Sequence, residues 1–255
     1  PPPCGSYIVA RENLGTVPGL VAAAALLIDY TMTVAVSVTA GTYAVVSAVP
    51  SLDAHRVLIA SSFAAFITLM NLRGVKESGT LFAFPTYGFI AMVYVTIVVG
   101  FARCVGGCPQ AATSTMDLEL LHPIGLFLIA RAFSSGASAL TGVEAISNGV
   151  AAFRRPQSRN AGVTLVLMGV ISVSMFLGIT VLAKALGVRV SEEIVTQSEL
   201  AQIGDTIFSG GWPFFVLQAF TTGILILAAN TAFQDFPRLA AILANDRFMP
   251  SQFRN

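Results

Sequence analysis

Residues 134–160 read SSGASALTGVEAISNGVAAFRRPQSRN. The stretch sits in an apolar segment, yet Gly136 and Gly142 weaken it as a helix. Ser134, Ser135, Ser138 and Thr141 line it, Glu144 adds a carboxylate, and Arg154, Arg155 and Arg159 close it. At the centre of a membrane helix a charged carboxylate costs about 2.5–3.5 kcal/mol even on lenient insertion scales. Backbone released from helical pairing is tolerated at that depth only where it faces protein or a water-filled cavity. Hydroxyls and a carboxylate beside a weakened helix therefore point to a solute or ion site of the kind built by secondary transporters.

The composition around this stretch is that of a membrane chain. Of 255 residues, 55% are hydrophobic and 11% charged, against roughly 25% charged in soluble domains. Mean hydropathy is +0.78. The net charge of +1 and the lack of a basic stripe with interleaved aromatics argue against nucleic acid as a partner. The three cysteines are too few for a disulfide scaffold. Starting at Pro1 and ending just past an apolar segment, the sequence reads as an internal piece of a longer protein.

A membrane core of about 30 Å needs about 20 apolar residues per helix. Six spans meet this, at about 17–49, 54–72, 81–101, 123–153, 162–186 and 212–245, so the expected fold is an all-α transmembrane protein with a single truncated domain over 1–255. Pro50, Pro85, Pro123 and Pro213 fall at or near span ends, where proline costs least. Alternate loops hold Arg11, then Arg73 and Lys76, then Arg154, Arg155 and Arg159, then Arg238, Arg247 and Arg254: nine basic residues, against four (Arg56, Arg103, Lys184, Arg189) in the opposite loops. The excess of positive charge predicts that the first set is cytoplasmic. The longer loops at 102–122 and 187–210, which hold six of the thirteen acidic residues, then face outside.

Two oxygen-rich faces stand out inside the spans. Asp29, Thr33 and Ser37 recur at i, i+4 and i+8, on one face of a helix, with Tyr30 beside it. Thr141 and Glu144 share a face at i, i+3. Carboxylate, hydroxyl and carbonyl oxygens are hard ligands suited to alkali cations or protons, and an intramembrane carboxylate is a candidate to load and release a proton. The candidate binding residues are thus Asp29, Tyr30, Thr33, Ser37, Ser138, Thr141 and Glu144, with Glu144 and Asp29 as candidates for proton coupling. Against this, Thr33 and Ser37 can bond back to their own helix. Glu144 can pair structurally with Arg131, unless Arg131 reaches the interface instead. His55 and His122 lie near span ends and read as interfacial. Asn230 and Thr231 read as interhelical hydrogen-bonding groups or cation ligands. Cys104 and Cys108 (CVGGC) allow a short disulfide or free thiols. No phosphate loop, metal-ligand spacing or nucleophile elbow appears, so an enzyme and a cofactor are not expected.

SALTGVEAISNGV followed by FRRPQSRN resembles the broken sixth helix, and the basic turn after it, of the amino acid–polyamine–organocation superfamily. GSYIVARENLG (5–15), NLRGVKESG (71–79) and AANTAFQDFPRLAAILANDRFMPSQF (228–253) resemble the loop before its third helix, its turn between helices four and five, and its eighth helix with the loop beyond. The likeness covers nearly the whole chain and departs from the pattern at Pro3-Cys4-Gly5, where the family has Gly-Gly. It implies helices three to eight of a LeuT-like inverted-repeat transporter, with helices one, two and nine onward lying outside this sequence. IDYTMTVAVSV (28–38) and RAFSSGASALTGVEAISNG (131–149) are similar to the KUP-like bacterial potassium importers. This implies proton-coupled potassium import by alternating access in the cell membrane, with bound K+ and H+ around the residues named above. A proton-coupled amino-acid permease on the same fold is the alternative, and a cation channel or non-transporting membrane subunit a further one. The expected partners are the lipid bilayer, an ion or small-molecule substrate, and a second copy in a homodimer.

Overall fold

The computed structural model describes residues 5–73, 79–115, 125–137, 153–189 and 197–254. Among these, the regular structure is entirely helical: α1 (Ser6–Leu14), α2 (Thr16–Ala48), α3 (Arg56–Leu72), α4 (Gly79–Cys104), α5 (Leu126–Ala137), α6 (Gln157–Leu186), α7 (Glu199–Phe208) and α8 (Trp212–Asn245), with short 3-10 turns at Pro50–His55 and Ser251–Arg254. Among the described residues five segments are long and apolar enough to cross a membrane, and mean hydropathy over the most apolar 18 residues of α6 is 2.5. At 1.5 Å per residue the 33 residues of α2 and the 34 of α8 run to about 50 Å each. Both therefore tilt or extend past the hydrocarbon. Lipid-directed apolar surface follows naturally, as at Val21 and Phe176, which are 66% and 70% exposed.

Local chemistry sets the boundaries. Gly15, at φ +100°, separates α1 from α2 in a conformation that disfavours other residues. The Ser198 hydroxyl caps α7 by accepting from the Ala201 N–H at 3.2 Å. Pro213 lies in the first turn of α8, where its missing N–H is harmless.

Contacts group the chain into two units, residues 1–26 with 117–174 and residues 27–116 with 175–255. The described part of the first unit holds α1, the start of α2, α5 and the first half of α6. There Arg11 donates to the Tyr7 hydroxyl at 3.4 Å. In the second unit α8 is the central post. Val38 of α2, Ile67 of α3 and Ala229 of α8 form one buried cluster. Val93 and Ile97 of α4 meet Leu217 of α8 in another. Leu182 and Leu186 of α6 pack with Ile203 and Ile207 of α7 in a third.

Two features depart from the expected layout. Pro85 lies seven residues into α4 and not at its end. It is accommodated against α8, where Gly223 leaves room for its ring and Phe84 meets Phe220 edge-on at 5.5 Å. The second outer loop contains α7, whose Ile203 and Ile207 are buried. Its ten residues are too few to read as a span. The fourth span is described only over α5; the rest of it lies outside the described residues.

Candidate functional site on the oxygen-rich face of α2

α2 is built from Ala, Val, Leu and Ile around a few polar positions, so each polar side chain carries a definite cost in lipid. Asp29, Thr33 and Ser37 climb about 12 Å along one face, rotating only about 40° per four residues. Tyr30 and Ser37 are buried, and Asp29 and Thr33 half-buried. The face is therefore turned at least partly away from the surface.

The threonines and serines at 31–42 on α2 divide into two groups. Thr31, Thr39 and Thr42 donate to the carbonyls of Leu27, Ala35 and Val38 at 2.8–2.9 Å. This is the ordinary way a membrane helix satisfies a threonine. Thr33 and Ser37 make no such bond among the described residues, and the Asp29 carboxylate there makes neither a hydrogen bond nor an ion pair. The oxygens of Asp29, Thr33 and Ser37 are free for another ligand, while those of Thr31, Thr39 and Thr42 are spent on the helix. Back-bonding is therefore not what Thr33 and Ser37 do.

α8 packs on α2 where the same four-residue row continues to Gly41. Gly41 sits at the crossing, 3.7–4.0 Å from side-chain atoms of Leu225, Ile226 and Thr222 once a Cβ is placed on it. The Thr222 hydroxyl reaches the Gly41 carbonyl at 3.4 Å. One turn further along, the Asn71 amide of α3 donates to Asn230 Oδ1 of α8 at 2.8 Å and shares its nitrogen with the Ile67 carbonyl. Asn230 is thus an interhelical hydrogen-bonding group, and Thr231 bonds back to Leu227 at 3.0 Å. Asn71 was overlooked in the sequence. Its signal was available: an amide inside an apolar span needs a partner, and Asn230 was another such amide.

Ser138, Thr141 and Glu144 lie outside the described residues. Arg131, on α5, is exposed, and among the described residues it forms no ion pair. No group of three His, Cys, Asp or Glu among the described residues is placed to hold a metal ion.

The end of α4 is closed by a Cys104–Cys108 disulfide, so these cysteines are not free thiols. Beyond it the chain folds over α6 and α7. The Ala111 N–H donates to the Leu186 carbonyl at 2.8 Å. The Thr113 hydroxyl accepts from the Arg189 N–H at 3.1 Å and donates to Gln202 Oε1 at 2.7 Å. These bonds hold one end of α4, α6 and α7 as a block.

A profile of the family described as "Amino acid permease" matches residues 1–255. The chain is 46% identical over 252 residues to "Potassium transporter KimA" of Bacillus subtilis (strain 168), a match covering 98% of this chain and 41% of that protein. The chain thus spans about two fifths of the length of the curated relative it matches. With five membrane-length helices among the described residues and a profile match over its whole length, the chain belongs to the amino acid permease family of the amino acid–polyamine–organocation superfamily, as a multi-pass plasma-membrane protein.

Proposed function

We propose that this chain is part of a single transmembrane transporter domain that imports potassium with protons by alternating access. One observation carries the reading: Asp29, Thr33 and Ser37 present oxygens with no hydrogen-bond partner among the described residues, while Thr31, Thr39 and Thr42 on the same helix are satisfied internally. A row of one carboxylate and two hydroxyls, half or fully buried, is a hard-oxygen surface that can replace water around an alkali cation. Tyr30 borders it, and Ser138, Thr141 and Glu144 are proposed to complete it from the broken segment. Glu144 and Asp29 then hold the coupling proton. The printed function of the 46%-identical relative, potassium transport, supports the same substrate. A homodimer belongs to the proposal as its assembly. The family description itself keeps an amino-acid substrate as the second reading.

The test is growth of a potassium-uptake-deficient bacterium carrying the full-length gene, with labelled amino-acid uptake measured in the same cells. Growth at low potassium without a rise in amino-acid uptake is expected. Failed rescue accompanied by raised amino-acid uptake overturns the proposal.

A further inference from the structure

At the end of the molecule where the Pro50–His55 turn joins α2 to α3, a cavity of about 270 Å³ opens between the two helices. Its wall is formed by Thr39, Thr42 and Tyr43 of α2 and by Arg56, Val57, Ala60 and Ser61 of α3. Arg56 is the first residue of α3, so its guanidinium sits where a membrane helix leaves the hydrocarbon. Among the described residues it forms no ion pair, although Asp53 lies three residues before it. The Asp53 Oδ1 atom is buried without a hydrogen bond and is not used to neutralise it.

The donors in this cavity are asymmetric. Thr39 has committed its proton to the Ala35 carbonyl. The hydroxyls of Tyr43 and Ser61 make no hydrogen bond among the described residues. With the five N–H groups of Arg56, they leave an unspent set of donors and a full positive charge. No acceptor-only group among the lining side chains opposes them. Such a set recognises a tetrahedral oxyanion, which a guanidinium can hold through two parallel bonds. The rest of the wall is apolar apart from Thr42, whose proton is spent on the Val38 carbonyl, and Val57 and Leu58, next in sequence, are 74% and 66% exposed. At about 270 Å³ the cavity is below the roughly 300–1,000 Å³ of pockets that enclose a whole drug-sized ligand. It suits a headgroup whose tail lies outside.

We propose that this cavity binds the phosphate of a membrane phospholipid. Arg56, Tyr43 and Ser61 donate to the phosphate oxygens, and an acyl chain runs along Val57 and Leu58. The inference uses the membrane placement of α2 and α3 and is independent of the solute carried. A bound lipid here would clamp the α2–α3 turn at the end of the helix that carries Asp29, Thr33 and Ser37.

The full-length protein is reconstituted in nanodiscs of phosphatidylglycerol and phosphatidylethanolamine, released, and weighed by native mass spectrometry. The wild type is expected to keep one phospholipid per chain that Arg56→Gln loses and Arg56→Lys keeps. Ser61→Leu, which fills the cavity and spares the arginine, is expected to lose it too; it keeps the test open if Arg56→Gln fails to fold. Equal lipid retention in wild type, Arg56→Gln and Ser61→Leu overturns the proposal, as it would if another segment of the full protein fills the cavity. A second arm titrates inorganic phosphate into delipidated protein. Arg56-dependent phosphate binding without retained lipid overturns the assignment to a lipid.

Discussion

Replacing Gly100 with alanine tests how α4 is seated against α6 and α7. A methyl group built at Gly100 comes 2.7 Å from Leu182 Cδ2 and 2.8 Å from Leu182 Cδ1 and Ile207 Cδ1. Carbon atoms rest about 3.5–4.0 Å apart, so the methyl overlaps its neighbours by about 0.7–1.3 Å. Leu182 and Ile207 are fully buried and packed with Leu186 and Ile203, which leaves their ends little room to turn. Overpacking of this kind costs about 1–3 kcal/mol. The gain from putting alanine in place of glycine in a helix is at most about 1 kcal/mol. Sterics win, and Gly100→Ala should destabilise the protein by about 1–2 kcal/mol. Leu182→Ala removes two of the three clashing Cδ atoms. Alone it costs about 2–5 kcal/mol as a cavity, but combined with Gly100→Ala it should cost less than the sum by about 1 kcal/mol. The assay is the fraction of monodisperse full-length protein surviving a temperature series, for wild type, both single variants and the double variant. A Gly100→Ala protein as stable as wild type, with additive losses in the double variant, refutes the packing argument.

Three further outcomes are expected. In a double-mutant cycle on Asn71→Ala and Asn230→Ala, the heat-stability losses should couple by about 0.6 kcal/mol, and by no more than about 1.7 kcal/mol; additive losses deny the α3–α8 bond. Cys104 and Cys108 should resist alkylation until a reductant is added, and opening their five-residue loop should lower stability by no more than about 2 kcal/mol; alkylation before reduction denies the disulfide. Glu144→Gln in the full-length protein should abolish uptake or free it from pH. An unchanged rate and pH profile removes Glu144 from the coupling step.

Long apolar runs are the easiest thing to read in such a chain, because one property repeated over twenty residues decides between water and lipid. α8 illustrates this: its expected bounds of 212–245 are those observed. α7 escaped because ten amphipathic residues carry no membrane signal, and their burial comes from distant Leu182 and Leu186. The four-residue spacing of Asp29, Thr33 and Ser37 showed which polar groups share a face. It could not show that Thr31 and Thr39 spend their protons on the backbone while Thr33 does not, since that depends on rotamers chosen by packing. Asn71 and Asn230 stand 159 residues apart, and neither announces the other. Arg56 looked like one more loop charge. Its meaning came only with the hydroxyls of Tyr43 and Ser61 across the turn.

The most direct test of the α2 face is potassium entry into proteoliposomes of the full-length protein under an imposed proton gradient. The paired variant Thr33→Ala/Ser37→Ala is compared with Thr31→Ala/Thr39→Ala on the same helix. The account predicts that the first pair raises the half-saturating potassium concentration by about tenfold or more, the loss expected when a charged ligand loses an oxygen partner. The second pair should leave it near the wild-type value. Equal effects from both pairs, or none from the first, would contradict it.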